Sequence, residues 1–185
     1  MIGTHNSLTY LPAKYKFYEL FSFLWRTQNK NLYEQIQLGV TYFDIRVRFK
    51  DGKWIACHGL VDLDLEYEHL KDIIEAFTPN KVRIILERGG YYSKQLFKST
   101  IHSLSHYYAN IAFACIKEDW EIIIDDKSLI KDYCYTPWLS GLSFWKNIKR
   151  FNFFSTIKKW AKRNNPRITD SLLKDPVIHF IDYVG

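Results

Sequence analysis

The chain has 185 residues, one or at most two domains' worth, enough to bury a sizeable core. Hydrophobic residues make up 47% and charged residues 25%, which excludes a disordered chain, and no apolar run approaches the roughly 18–20 residues that span a bilayer. The formal net charge of +6 favours phosphate-bearing partners, nucleic acid or anionic lipid alike, without distinguishing them. Aromatics reach 17%, and rings with a polar tip suit sugar stacking or a membrane interface. Cys57, Cys115 and Cys134 form no CxxC pair and no zinc spacing, so they read as reduced core thiols. The opening residues MIGTHNS lack the basic and apolar regions of a signal peptide. As it stands the chain reads as cytoplasmic. With an N-terminal extension missing it would be secreted or membrane-peripheral.

In chain order, His5 arrives with little chain before it for a first strand, so the start reads as truncated or as that of a minimal version. Residues 12–38 are predicted helical in parts, and Leu32, Gln35, Ile36 and Gly39 fit a helix ending at a glycine cap. Alternation from Phe43 to Phe49 predicts a strand. Asp51-Gly52 is a tight-turn signal, and 53–58 reads as the next strand. Tyr67, Leu70, Ile73, Ile74 and Phe77 predict a helix over 66–78, stopped by Pro79. A buried strand over 82–87, a helix over 93–107, and strands over 111–116 and 120–125 follow. A mixed helical segment over about 143–163 and a strand over 177–184 close the chain. No repeat or linker interrupts it, so we expect a single domain over 1–185. Alternating strands and helices favour an α/β fold with a largely parallel sheet. If that sheet closes, it is a compact, incomplete or distorted (β/α)8 barrel, since a full one typically takes about 250 residues.

Three charged clusters fall where predicted strands end or face inward: His5-Asn6, Asp44-x-Arg46 and His58-Gly59. Sites in parallel α/β folds assemble at the carboxyl ends of strands. Asp44 and Arg46 are i and i+2 on a strand and share a face, where a charged pair is costly unless paired or functional. Two histidines, an arginine and carboxylates are what phosphodiester cleavage needs. One imidazole takes a proton from the attacking hydroxyl, the other gives one to the leaving oxygen, and a guanidinium grips the phosphate. Singly, each group has a plainer reading: His5 a frayed end, His58 a core histidine, Asp44 and Arg46 a structural ion pair, Asp182 a surface carboxylate. Together they favour a site. His69, His102, His106 and His179 have no partners by spacing and read as structural or exposed.

Six segments in order resemble the X domain of the phosphatidylinositol-specific phospholipases C. They are 2–7 (IGTHNS), 25–28 (WRTQ), 35–46 (QIQLGVTYFDIR), 54–59 (WIACHG), 82–87 (VRIILE) and 181–184 (IDYV). Region 91–165 contributes little. The resemblance implies a phospholipase C-like X domain of short, bacterial-like form. It would act on phosphatidylinositol-type phospholipid at a membrane surface and release diacylglycerol and inositol 1,2-cyclic phosphate. By that resemblance His5 is the general base on the inositol 2-hydroxyl and His58 the acid for the leaving group. Arg46 stabilises the phosphate charge, Asp44 positions Arg46 or His58, and Asp182 orients His5. Asn6, Glu87 and Arg88 would contact substrate.

Arg46 stands where eukaryotic members carry an acidic calcium ligand, so the expectation is an enzyme with no cofactor. The pattern is mixed, however. Asn6 is the eukaryotic-like choice, and Glu87 falls where bacterial members place a lysine. The alternative is a Ca²⁺ site on Asn6, Asp44 and Glu87, all hard oxygen donors. Three further readings compete. A degenerate X domain would bind phosphoinositide or anionic lipid without turnover. A glycerophosphodiester phosphodiesterase would need a Glu-x-Asp metal pair, which Asp44-Ile45-Arg46 does not supply. A two-histidine ribonuclease is disfavoured by the order of the motifs, and nucleic acid is not the expected partner. Residues 138–163 combine tryptophans, phenylalanines and basic residues, with a stripe of Phe144, Ile148, Phe151, Ser155 and Lys158. That segment reads first as an outer helix with a solvated basic face, and second as an interfacial anchor on anionic lipid.

Overall fold

The longest strand, Val40–Lys50 (β2), is the spine of the sheet and is buried on both faces over much of its length. Phe43, Ile45 and Val47 alternate on one face with no exposure, while Asp44 and Arg46 take the other. The strand starts where a short helix, Leu32–Gln37, ends. That helix opens on a capping box between Asn31 and Glu34. It closes at Gly39, whose φ of +86° is the left-handed conformation a glycine takes after a helix. The structure, a computed structural model, describes residues 1–125, 130–133, 161–162, 165, 171, 174 and 178–181, with the side chains of 130–133 and 178–180 excepted.

In chain order the elements are β1 (Ile2–Thr4), a 3-10 turn (Lys16–Phe21), α1 (Ser22–Trp25), α2 (Leu32–Gln37), β2, β3 (Lys53–His58) and β4 (Val61–Tyr67). They continue with α3 (Leu70–Phe77), β5 (Lys81–Arg88), α4 (Tyr91–Ser105), β6 (Ile111–Ile116), β7 (Glu121–Asp125), β8 (Ile130–Tyr133) and β9 (Ile178–Ile181). The sheet runs β7-β6-β5-β2-β1-β9-β8, and β3 and β4 fold back from β2. Pairings β1–β2, β1–β9, β2–β5, β5–β6 and β8–β9 are parallel, as the alternating pattern predicts. Among the described residues the sheet is open, which makes this an α/β fold of incomplete-barrel type.

Helix α3 buries Leu70, Ile73, Ile74 and Phe77, the stripe that its spacing predicts. Phe77 meets Phe43 of β2 with ring centroids 5.1 Å apart, and Phe97 of α4 meets Trp54 at 6.0 Å. Each such side chain contributes about 1.5–3 kcal/mol by leaving water. The core therefore lies between the helices and one face of the sheet. The opposite face is left to the charged residues.

One expectation needs correction. The helix expected from residue 66 begins only at Leu70, because Glu66 and Tyr67 pair with Ile55 and Trp54 and belong to β4. The sheet is largely parallel, as expected, with antiparallel additions at tight turns: β3 and β4 form an antiparallel extension, and β7 runs antiparallel to β6. Tight turns leave no room for a crossover helix at either place. At 51–52 both residues have positive φ, +52° and +79°, as a two-residue hairpin requires. The helical segment expected over 143–163 lies outside the described residues, apart from 161–162, which are helical.

Candidate active site

The carboxyl ends of β1, β2, β3 and β5 bring His5, Asn6, Asp44, Arg46, His58 and Glu87 together. Strand β1 ends at Thr4, so the next two residues turn away from the ladder at its tip. The His5 amide donates to the Ile181 carbonyl at 3.0 Å, which ties the turn to β9. Thr27 and Gln28 hold the same turn from outside. The Thr27 hydroxyl and Gln28 Nε2 donate to the His5 carbonyl at 2.9 and 3.2 Å, and Gln28 Nε2 also reaches the Ile181 carbonyl at 2.9 Å. Asn6 has φ +48°, a left-handed conformation that asparagine tolerates better than most residues. This turn aims its side chain between the two histidines.

Asn6 Nδ2 lies 2.8 Å from His5 Nδ1 and 3.2 Å from His58 Nε2, and the two rings stand 6.5 Å apart, edge to face. His58 Nδ1 donates to the Trp25 carbonyl at 2.5 Å, so its Nε2 is the nitrogen turned to the site. Burial first, then the Arg46 charge and His5, push the His58 imidazole down to about 3. On the other side, Arg46 Nη2 donates to His5 Nε2 at 2.6 Å. A neutral imidazole has one N–H and one lone pair, so His5 cannot accept from Arg46 and Asn6 at once. A half-turn of the Asn6 amide relieves this. It presents Oδ1, which is otherwise buried without a hydrogen-bond partner, to His5 Nδ1–H. It also turns that oxygen to the bare Nε2 of a neutral His58, so nitrogen inward suits a neutral His58 and oxygen inward a protonated one.

Arg46 is held by two carboxylates. Asp44 Oδ2 accepts from its Nε and Nη2 at 3.4 Å each, and Glu87 Oε2 accepts from Nη1 at 3.1 Å. Asp44 is fully buried and also accepts from Arg83 Nη2 at 3.0 Å and from the Asn6 backbone N–H at 3.2 Å. Burial alone would raise the Asp44 carboxyl. The guanidinium groups of Arg83 and Arg46 outweigh it and hold Asp44 well below the usual carboxylate range. Glu87 behaves in the same way: burial opposes ionisation, and Arg46 and Lys117 overcome it. A register shift in the β2–β5 pairing between Val47 and Arg48 leaves Glu87 opposite no single residue of β2.

Lys117 and Arg83 are the members that sequence reasoning missed. Lys117, just past β6, donates to Glu87 Oε1. Arg83 lies directly across from Asp44 in the β2–β5 register. Arg88, expected as a substrate contact, is exposed at the end of β5 and is not among the groups that pair around Arg46. Asp182 lies outside the described residues, as do Cys134 and nearly all of 138–163. Cys57 and Cys115 are buried free thiols, as expected, and His69, His102 and His106 are exposed. A groove of about 570 Å³ lined by Phe49, Trp54, Leu70, Leu96 and Leu104 shares no residue with the charged cluster.

The donor set does not fit calcium. Both Glu87 oxygens are taken by Arg46 and Lys117, and the Asp44 carboxylate faces Arg46 and Arg83. A divalent cation there would meet three fixed positive charges. Among the described residues no other group of histidine, cysteine and acidic side chains is placed to hold a metal ion.

No protein-family model matches the sequence, and no curated protein matches it. Solved structures do match. The phosphatidylinositol-specific phospholipase C from Listeria monocytogenes aligns with TM-score 0.64 and 16% identity, over 100% of this chain and 88% of that one. The phosphatidylinositol-specific phospholipase C of Staphylococcus aureus aligns with TM-score 0.54 and 17% identity, over 100% of this chain and 86% of that one. A double mutant of the latter gives 0.56 and 14%, over 100% and 85%. The chain therefore has the fold of the bacterial phosphatidylinositol-specific phospholipases C. At these identities the likeness is one of fold.

Proposed function

We propose that this chain cleaves a phosphatidylinositol-type phospholipid to diacylglycerol and inositol 1,2-cyclic phosphate by acid/base catalysis from His5 and His58. The observation that carries the reading is the pair of imidazoles flanking Asn6, with Arg46 bound to the nearer one. His5 Nε2 takes the proton of the inositol 2-hydroxyl. The oxygen attacks phosphorus, the bond to the diacylglycerol oxygen breaks, and His58 Nε2–H protonates that oxygen. Arg46 turns its N–H groups to the phosphate oxygens, and Asp44 keeps the guanidinium in place. By the resemblance alone, Asp182 would support His5.

The free site is not yet poised for this. With Asn6 nitrogen inward and His58 held near 3, the acid carries no proton on Nε2. An amide turned oxygen-inward suits the working pair. It accepts from His5 Nδ1, leaving Nε2 as a base, and from a charged His58 Nε2–H. A phosphodiester anion beside Arg46 favours that state, because it offsets the positive charges that depress His58.

A lipid surface is the expected setting. Phe17, Leu20, Phe23 and Leu24 are all about half exposed or more, in the segment that leads to Trp25 and so to His58. Lys14, which pairs with Glu66, and Lys16 are exposed just before them in the chain. Such a mixture of apolar and basic groups suits an anionic bilayer, with no helix among the described residues long and apolar enough to cross it. Sedimentation with liposomes, with and without anionic lipid, tests this, and an absence of binding to both would end it.

The deciding experiment is product analysis with labelled phosphatidylinositol, with and without chelator. The expected result is inositol 1,2-cyclic phosphate that survives EDTA and is lost in His5→Ala and His58→Ala. The depressed His58, and an Arg46 already bonded through all three nitrogens, favour a second reading, a domain that binds anionic lipid without turnover. Binding with no product from any phospholipid would establish that reading instead.

A further inference from the structure

Glu87 is the one carboxylate of the cluster with a way out. Asp44 is locked by Arg83, Arg46 and the Asn6 backbone N–H, with no exposure. Glu87 is also buried, at 2% side-chain exposure, but its second partner is Lys117, whose side chain is 36% exposed at the edge of the site. Its first partner is Arg46 Nη1, the donor of that guanidinium not committed to Asp44 or His5. Nη1 has two N–H groups and Glu87 takes one, so a phosphate oxygen that grips Nη1 is brought against the Glu87 carboxylate, and the two anions compete for one guanidinium edge.

We propose that Glu87 is a resident anion on Arg46, displaced by the incoming phosphate, and that Lys117 is the cation that receives it. The pair then sets how tightly, and at what charge, the site accepts a phosphate. This rests on the reading of Arg46 as the phosphate-binding group. Arg46, Arg83 and Lys117 face two carboxylates, so the cluster has one positive charge in excess. That excess matches a phosphodiester, which carries one negative charge, better than a phosphomonoester dianion. Neutralising Glu87 adds one positive charge and shifts the match toward the dianion. Removing the Lys117 charge does the reverse, because Glu87 then has Arg46 as its only cation. A purely structural ion pair makes a different prediction: loss of either partner weakens the site in the same direction.

The test is calorimetric binding of two soluble probes at constant ionic strength and mildly alkaline pH. Dimethyl phosphate serves as the monoanion and inorganic phosphate as the dianion. Glu87→Gln is expected to bind inorganic phosphate about tenfold more tightly, the size of one charge-assisted hydrogen bond no longer competing, with a smaller gain for dimethyl phosphate. Lys117→Met, at a partly exposed position that tolerates substitution, is expected to weaken both by about three- to fivefold. That loss should fall by more than half in the E87Q background, since Lys117 acts through Glu87. Equal or weaker binding by Glu87→Gln, or an undiminished Lys117 effect in the double variant, overturns the proposal. Arg46→Met separates the two levels. If it binds both probes like the parent, the reading of Arg46 fails and this inference with it. If it loses both probes while Glu87→Gln gains nothing, only the inference fails.

Discussion

His58 donates its Nδ1–H to the backbone carbonyl of Trp25 over 2.5 Å, and this bond decides which ring nitrogen can exchange a proton with a substrate. A main-chain acceptor cannot change its protonation state, so the Nδ1 proton stays where it is. Only Nε2, beside the Asn6 amide, is left to titrate. The same bond joins the site to the exposed apolar segment that ends at Trp25, so whatever docks on that segment bears on the placement of the acid.

The depressed His58 makes stability depend on pH in a defined window. Its folded value of about 3 lies below the ordinary 6.5, so between these values the unfolded chain binds a proton that the folded chain refuses. Stability is full above the unfolded value and declines as pH falls through the window, by at most about 1.4 kcal/mol per pH unit. Urea midpoints measured across that range should slope less steeply for His58→Gln than for the parent. Parallel slopes would mean that His58 is charged in the folded state.

Asn6→Asp should turn the bridge between the histidines into a permanent acceptor. Aspartate also tolerates the left-handed backbone at this position, so the turn survives. A carboxylate beside the His58 ring favours its charged form and raises it from about 3 toward the ordinary value. Imidazole proton shifts followed by NMR against pH would report it. The acid limb of any cleavage activity should move in step. An unmoved His58 would show that burial, not a neighbouring charge, controls it.

The parts of the site legible in the sequence were those carried by local pattern. Alternation put Asp44 and Arg46 on one face of β2, and the end of β3 put His58 beside them. The Trp-x-Thr-Gln stretch turns out to matter for its backbone contacts, since Thr27 and Gln28 hold the His5 turn. What stayed hidden depends on neighbours distant in sequence. Lys117 matters only because β6 lies beside β5, and the Trp25 carbonyl has no side-chain signature at all. Arg83 was readable in principle: a lone cation inside an apolar strand signals a buried carboxylate opposite. Strand β4 was readable in principle from the alternation of Val61, Leu63, Leu65 and Tyr67, but Tyr67 also falls on the helical stripe of α3.

Asp44→Asn should be the most damaging conservative change at the site. It keeps the shape and removes the one charge that Arg83 and Arg46 share. Two guanidinium groups would be left with an amide in place of an ion, at a position with no exposure. Breaking a buried pair in this way typically costs about 3–5 kcal/mol. Denaturant unfolding should show the loss as a lowered midpoint with an unchanged slope. A loss under about 1 kcal/mol would mean that Glu87 and solvent already balance the two cations.

Gln28 offers a test of how the His5 turn is held, separate from the chemistry of the imidazole. Its side chain is fully buried, and its Nε2 donates to two carbonyls, those of His5 and Ile181. Gln28→Ala leaves both acceptors short of a donor in a dry site, at a cost of about 1–3 kcal/mol. Gln28→Glu should be worse, because a buried carboxylate offers no proton to either carbonyl and repels both. The Thr27 hydroxyl still reaches the His5 carbonyl, so the turn should loosen without unfolding. Amide exchange at His5, whose N–H bonds to the Ile181 carbonyl, should therefore accelerate in both variants while exchange in β5 does not change. Uniform acceleration through β5 would make Gln28 part of the global core, and the separate clamp on the His5 turn would have to be given up.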